Sequence, residues 1–171
     1  MIRRYLFAIA LLGAVSVAGI RDANAGFNIG GGLHYLYAMG DIDENNPDLS
    51  KNAFGLIGSA QFAGPMLKIE GNVEYIFDYL GTDLAMWEPS LYALVGGMIY
   101  GGAGIGMSKL DEAENWTDPW YALRGGVTLP LGGMGLDMYA TYRFWSDDDL
   151  EGLTGDDLDS ITFAAVLRFG M

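Results

Sequence analysis

The sequence has no cysteine, a single histidine and few basic residues, and each shortage excludes a class of function. Without cysteine there can be no disulfide, no thiolate metal site and no lipid-modified cysteine anchor. With nine Lys+Arg against 22 Asp+Glu, the chain lacks the cationic surface that nucleic-acid phosphates require. One histidine cannot form a histidine cluster for zinc or iron. We therefore expect no cofactor and no nucleic-acid partner.

Long hydrophobic runs are missing after the first 25 residues, although hydrophobic residues make up 51% of the chain. At the N-terminus, Arg3 and Arg4 precede the apolar segment Tyr5–Ile20, and the small residues Ala23 and Ala25 follow it. This order is typical of a secretory signal peptide, with an uncleaved membrane anchor as the alternative. We predict a signal peptide at residues 1–25 and one domain at residues 26–171.

Cleavage of the signal would make the chain more acidic. It removes three of the nine Lys+Arg, namely Arg3, Arg4 and Arg21, and one of the 22 Asp+Glu, namely Asp22. Six basic and 21 acidic residues remain, which gives the mature chain a net charge of −15.

The mature chain consists of short segments in which apolar and polar residues alternate, which is the pattern of β-strands with two different faces. The segments Leu67–Tyr75, Leu136–Phe144 and Ile161–Phe169 show it most clearly. We predict eight strands, long enough to cross a bilayer when tilted. They are Gly26–Gly40, Ala53–Ala63, Met66–Tyr79, Met86–Val95, Met98–Leu110, Trp120–Leu131, Gly135–Trp145 and Leu158–Phe169.

The connections between these strands alternate in length. Three are tight glycine-containing turns, Gly64-Pro65, Gly96-Gly97 and Gly132-Gly133-Met134. Four are longer and carry most of the acidic residues: Asp41–Asn52, Leu80–Ala85, Asp111–Pro119 and Ser146–Asp157. Up-and-down connectivity places all the long connections at one end of a barrel. This polarity is typical of outer-membrane β-barrels, whose outer loops are long and whose periplasmic turns are short.

Alternation alone does not say which face is outside, because a soluble lipocalin-like barrel would point its apolar face inward. The polar face here is mostly small residues, and its few charges nearly balance, which suits a filled interior. We predict that these inward charges are Lys68, Arg124, Arg143, Arg168, Glu70, Glu74, Asp78 and Asp137. The fold class predicted is therefore all-β: a transmembrane, antiparallel, up-and-down eight-stranded β-barrel in contact with outer-membrane lipid.

Aromatic residues gather at both ends of the apolar face, as expected for girdles at headgroup depth. Those predicted near the long connections are Tyr35, Tyr37, Tyr75, Phe77, Tyr79, Trp87, Tyr121, Tyr142 and Phe144. Those predicted near the short turns are Phe27, Phe62 and Phe169. Strand-forming aromatics packed in a soluble core are the alternative.

The chain resembles the OmpA/OmpX-like and opacity-protein group of small outer-membrane barrels. The glycine-rich strand Tyr100–Met107, the eight-strand loop pattern and the final alternating strand carry the resemblance. It implies a location in the bacterial outer membrane and recognition of the last strand by the outer-membrane insertion machinery. Phe169 would provide the terminal aromatic, although Gly170 and Met171 follow it.

Some small barrels of this type are lipid-modifying enzymes, which need a nucleophile beside a base. The only histidine, His34, lies on the predicted inner face, and no spacing brings a serine beside it. We predict a buried structural histidine and no catalytic residue. The predicted function is non-enzymatic, in envelope structure or surface interaction through acidic loops; a lipid-modifying enzyme and a soluble periplasmic ligand carrier are the alternatives.

Two of the acidic connections partly match the start of a calcium-binding loop. The candidate ligands are Asp41, Asp43, Asp147, Asp149 and Glu151. Both segments lack the closing glutamate of such loops, so we predict weak divalent-cation binding at most, and a solvated acidic loop is the alternative. Calorimetry of the refolded barrel tests this: no heat of calcium binding at millimolar concentration would contradict the hypothesis.

Overall fold

The computed structural model describes residues 26–39, 50–144 and 159–170, and in these ranges the chain is almost entirely β-structure. The predicted signal peptide and large parts of two long connections lie outside the described residues. Within the ranges described, no helix is long and apolar enough to cross a membrane.

Nine β-segments and one short 3₁₀ turn make up the described chain. The segments are β1 Gly26–Ala38, β2 Asn52–Ala63, β3 Leu67–Phe77, β4 Met86–Gly96, β5 Ile99–Gly106, β6 Lys109–Leu110, β7 Trp120–Leu131, β8 Met134–Phe144 and β9 Ser160–Gly170. The 3₁₀ turn, Tyr79–Gly81, lies between β3 and β4. The strand bounds agree with the predicted ones to within three residues, except for the predicted strand Met98–Leu110.

That predicted strand is divided into β5 and β6, which occupy the same position in the barrel. The register against β4 continues through the interruption, with Gly106 opposite Ser90 and Lys109 opposite Trp87. The interruption falls opposite Pro89, which has no N–H to donate to a ladder. On its other side, Ser108 exchanges hydrogen bonds with Thr117 of the next connection, at 2.9 and 2.8 Å, instead of with a strand.

All neighbouring strands are antiparallel, and the sheet closes on itself. The order is β3-β2-β1-β9-β8-β7-β5-β4, and β3 also pairs with β4. First and last strands meet as well, with Leu33 of β1 opposite Ala165 of β9. The predicted eight-stranded, up-and-down barrel is therefore confirmed.

The three short turns share one end of the barrel. The turn between β2 and β3 closes with a bond from Gly64 N to Leu67 O at 2.8 Å. Gly96 and Gly132, in the other two, have φ of 131° and 68°, which side-chain-bearing residues rarely adopt. The four long connections begin and end at the opposite end, as the sequence predicts.

The barrel is polar inside and apolar outside. Buried and exposed residues alternate along most of the long strands, and most of the exposed positions carry large apolar side chains. Leu33, for example, is 68% exposed, and Phe54 and Leu91 are comparably open. A water-soluble barrel would place these side chains in its centre, so the observed polarity is that of a barrel surrounded by hydrocarbon.

Glycines on the inner face leave room for aromatic rings from the neighbouring strand. A Cβ at Gly104 would lie 2.3 Å from the Tyr92 ring, and one at Gly106 would lie 2.2 Å from the Trp120 ring. Both distances are far shorter than a van der Waals contact. The glycine-rich β5 is thus the complement of two inward rings rather than the wall of a void.

Candidate functional site

The barrel interior contains a network of charged side chains, and the sequence predicts most of its members. Seven of the eight residues predicted to point inward are buried: Lys68, Glu70, Glu74, Arg124, Asp137, Arg143 and Arg168. Asp78 was wrongly included, because it follows the end of β3 and is exposed at the barrel end. Glu88 of β4 is buried in its place. Among the described residues, four basic and four acidic side chains therefore face the axis.

One half of the network centres on Glu70, which is 0% exposed. Its carboxylate accepts hydrogen bonds from Arg124 Nη1 at 2.9 Å, Arg168 Nη2 at 2.8 Å and Gln61 Nε2 at 2.7 Å. Asp137 extends this half: it accepts from Arg168 Nε at 2.7 Å. We call Glu70, Asp137, Arg124 and Arg168 the Glu70 cluster.

The other half lies nearer the long connections and centres on Arg143. Its guanidinium donates to the carboxylates of Glu74 and Glu88. Glu88 also accepts from Ser108 Oγ at 2.6 Å, and that oxygen accepts from Trp120 Nε1 at 3.0 Å. Each carboxylate in the low-dielectric interior thus has a cationic partner, which offsets the cost of removing it from water.

Aromatic rings separate and cover the buried cations. Arg124 lies between the rings of Tyr92 and Tyr139, at 3.5 and 3.9 Å from their centroids. Arg143 lies 4.6 Å from the centroid of Trp120. Such contacts stabilise a desolvated cation. They also fill the cross-section, as expected for eight strands, whose barrel is too narrow for an aqueous channel.

His34 lies on the inner face, as predicted, and is 2% exposed. Its Nδ1 is 3.1 Å from Glu74 Oε2. No serine of the described ranges hydrogen-bonds to the imidazole. The geometry that a serine–histidine lipid hydrolase needs is therefore not formed around His34 in these ranges.

Most of the predicted aromatic girdle lies on the outer surface. Rings near the long connections contact each other across strands, as Tyr75 does with Trp87 at 4.6 Å between centroids. Phe27, Phe62 and Phe169 are exposed at the end with the short turns. Tyr79 was wrongly assigned to the girdle, because the chain turns inward there and the ring packs on a buried apolar cluster that includes Leu80. Burial, with a contribution from the Glu88 carboxylate, raises the pKa of the Tyr79 phenol.

The candidate calcium ligands Asp41, Asp43, Asp147, Asp149 and Glu151 lie outside the described residues. The hypothesis of weak cation binding therefore stays a prediction. Within residues 26–39, 50–144 and 159–170, no group of three His, Asp or Glu side chains is arranged to hold a metal ion.

Comparison with family models and with curated proteins finds no match. Solved structures do match. Neisserial surface protein A (NspA) has a TM-score of 0.61 and 15% identity, covering 88% of this chain and 100% of that chain. Ail, the attachment invasion locus protein of Yersinia pestis, has a TM-score of 0.48 and 18% identity, covering 86% and 100%. A designed transmembrane β-barrel has a TM-score of 0.49 and 12% identity, covering 88% and 100%.

At this level of identity the likeness to NspA concerns the fold. Together with the closed strand order and the outward apolar face, it gives this chain the fold of a small, eight-stranded, antiparallel transmembrane β-barrel. The fold class predicted from the sequence, and its resemblance to small outer-membrane barrels, are confirmed.

Proposed function

We propose that this chain is a non-enzymatic integral protein of a bacterial outer membrane. Its long acidic connections would face the cell exterior, and its role would be in envelope structure or surface interaction. The observation that carries this proposal is the inverted polarity of the barrel. Large apolar side chains cover the outside, and a charge-balanced network of arginines and carboxylates fills the inside.

A non-enzymatic role is supported by the state of the interior side chains. Every carboxylate that is buried in the described part of the chain accepts a hydrogen bond from an arginine, which leaves none of these free to act as a general base. His34 is buried inside the barrel beside Glu74, where a lipid substrate outside the barrel does not reach it. A lipid-modifying enzyme would need a nucleophile and a base exposed together to the bilayer.

The acidic connections suggest the kind of partner. Cleavage of the signal would leave 21 acidic residues, most of them in or beside these connections, so a cationic ligand or a divalent ion is favoured there over an anionic one. Delivery to the membrane would use the insertion machinery, with Phe169 near the end of β9 as the terminal aromatic.

Membrane fractionation and gel mobility test the proposal together. The processed chain should sediment with outer membranes, require detergent for extraction, and migrate differently in boiled and unboiled samples. A closed barrel resists unfolding in mild detergent, which produces the difference in mobility. A soluble periplasmic protein from the same cells provides the fractionation control. Recovery of the processed chain in the soluble fraction would contradict the proposal and favour a lipocalin-like carrier.

A further inference from the structure

A groove on the outer wall, near the long connections, combines a half-buried cation with aromatic and apolar walls. It has a volume of about 550 Å³ and lies where β3 and β4 meet β6 and the following connection. Its upper part, nearer the long connections, is lined by Trp87, Lys109 and Trp116. Its lower part, nearer the middle of the barrel, is lined by Val73 and Pro89. We call it the Lys109 groove.

The strand register explains how Lys109 comes to face outward. Lys109 pairs with Trp87 across β6 and β4, and Trp87 pairs with Tyr75 across β4 and β3. Residues paired in this way share a face of the sheet. Trp87 is exposed, so the lysine side chain lies in the same outer row as two girdle aromatics. The next residue, Leu110, packs toward the buried apolar cluster, as alternation requires.

Within residues 26–39, 50–144 and 159–170, the ammonium group has no anionic partner. Among the described residues, no ion pair joins Lys109 to a carboxylate. Its Nζ lies 5.9 Å from the centroid of the Trp116 ring. Asp111 also borders the groove, and its carboxylate accepts a hydrogen bond from the neutral Trp87 indole Nε1 at 3.1 Å. Within the described residues, the ammonium group remains available to an external anion.

The distribution of basic residues makes this lysine unusual. Of the six basic residues in the mature chain, four face the axis, where each is close to carboxylates or to carbonyl oxygen. Lys51 and Lys109 are the other two, and Lys51 precedes β2, outside the groove. Lys109 is thus the basic residue that the outer aromatic row offers to an anion, beside a connection that is otherwise acidic.

The lower part of the groove fits a hydrocarbon chain. Val73 and Pro89 each lie two residues deeper along their strands than Tyr75 and Trp87, about 7 Å at the rise of a β-strand. An occupant would therefore meet a cation and tryptophan rings at one end and an apolar surface at the other. This is the order of groups in a membrane lipid with an anionic phosphate headgroup.

We propose that the Lys109 groove binds one phosphate-bearing anionic lipid, with the phosphate on Lys109 and an acyl chain on Val73 and Pro89. The inference rests on the proposed membrane location of the barrel. The phosphate is recognised by charge at the level of the aromatic girdle, and the acyl chain keeps the headgroup there. A free phosphate ion could make the contact with Lys109 but not the contact with Val73 and Pro89.

Native mass spectrometry of the refolded, full barrel in detergent counts bound lipids and tests the proposal. The probes are dioleoyl phosphatidic acid and dioleoyl phosphatidylcholine, which have the same acyl chains but differ in net headgroup charge. For the first lipid bound, we expect phosphatidic acid to be favoured about fivefold, the contribution of one lysine at a charged membrane surface. K109Q should remove this preference and leave binding of phosphatidylcholine unchanged. K109R, which keeps the positive charge, should retain the preference.

The matched control is K51Q, which makes the same change in net charge outside the groove and should keep the preference. The proposal would be overturned if the wild-type barrel bound both lipids equally, if K109Q kept the preference for phosphatidic acid, or if K51Q lost that preference to the same extent as K109Q. Displacement of the lipid by inorganic phosphate would indicate a site for free phosphate, and a protein dimer would assign the groove to a second copy; both outcomes contradict it. Gel mobility of each sample separates the two claims, because a heat-modifiable barrel without lipid preference refutes only this inference.

Discussion

Replacement of Glu70 by alanine should lower the free energy of unfolding of the refolded barrel by about 3–5 kcal/mol, the usual cost of removing one partner from a buried ion pair. The substitution leaves Arg124 and Arg168 without the carboxylate that both of them contact at 2.8–2.9 Å. Arg168 keeps Asp137, whereas the described partners left to Arg124 are Thr141 and two aromatic rings. Urea titration in phospholipid vesicles, followed by the mobility of unboiled samples, measures the change.

Glu114→Ala is the matched control, because Glu114 is exposed in the connection before β7 and should change the free energy of unfolding by less than about 0.5 kcal/mol. A second variant, with Glu70 and Arg124 both replaced by apolar residues of similar size, should be less destabilised than E70A. It removes one buried cation together with its anion and leaves Arg168 paired with Asp137. A small effect of E70A alone would show that the Glu70 cluster does not stabilise the interior.

The sequence predicts the strands and their faces because a period of two is a local property. Each of the segments Leu67–Tyr75, Leu136–Phe144 and Ile161–Phe169 carries its own alternation, and closure of the barrel follows from the number of strands and the alternating connections. That the apolar face contacts lipid and not water followed from the composition of the other face. Its side chains are mostly small and its charges nearly balance, which is not typical of a hydrated surface. The observed burial agrees at seven of the eight charged positions.

Partners within the interior could not be predicted, because they depend on the stagger between strands. Arg124 and Arg168 reach Glu70 from 54 and 98 residues away, and only the closed register brings these positions to one level. Glu88 was missed because its neighbour Pro89 and the nearby connection obscure the alternation of β4. The inward rings of Tyr92 and Trp120 were missed for a similar reason: the glycines that accommodate them lie on a different strand.

The connection after β3 shows a further limit of the pattern. Tyr79 continues the alternation of the strand, but the backbone leaves the strand just before it. Asp78, Leu80 and Asp83 all adopt positive φ, which is uncommon for residues with side chains. This backbone carries Leu80 into the buried cluster and Tyr79 against it. No property of the individual residues signals that turn, because it is imposed by the cluster that it closes.

The surroundings of the apolar face have a direct consequence for a charge placed on it. Leu33→Arg should lower the free energy of unfolding in phospholipid vesicles by about 2–4 kcal/mol, the cost of arginine near the bilayer midplane. Leu33 lies at the middle of β1, opposite Leu56 and Ala165, and is 68% exposed. If water surrounded the barrel, the same change at an exposed position would cost less than about 0.5 kcal/mol. Urea titration in the vesicles measures the difference.

Depth provides the control. Met39 follows β1 at the end with the long connections and is also exposed, about 20 Å further along the chain at the rise of a β-strand. Met39→Arg should therefore cost no more than about 1 kcal/mol, because arginine near the interface reaches headgroups and water. Only a hydrocarbon layer with limited thickness makes two exposed apolar positions differ in this way. Equal and small costs at both positions would mean that the outer face of the barrel is in contact with water along its whole length.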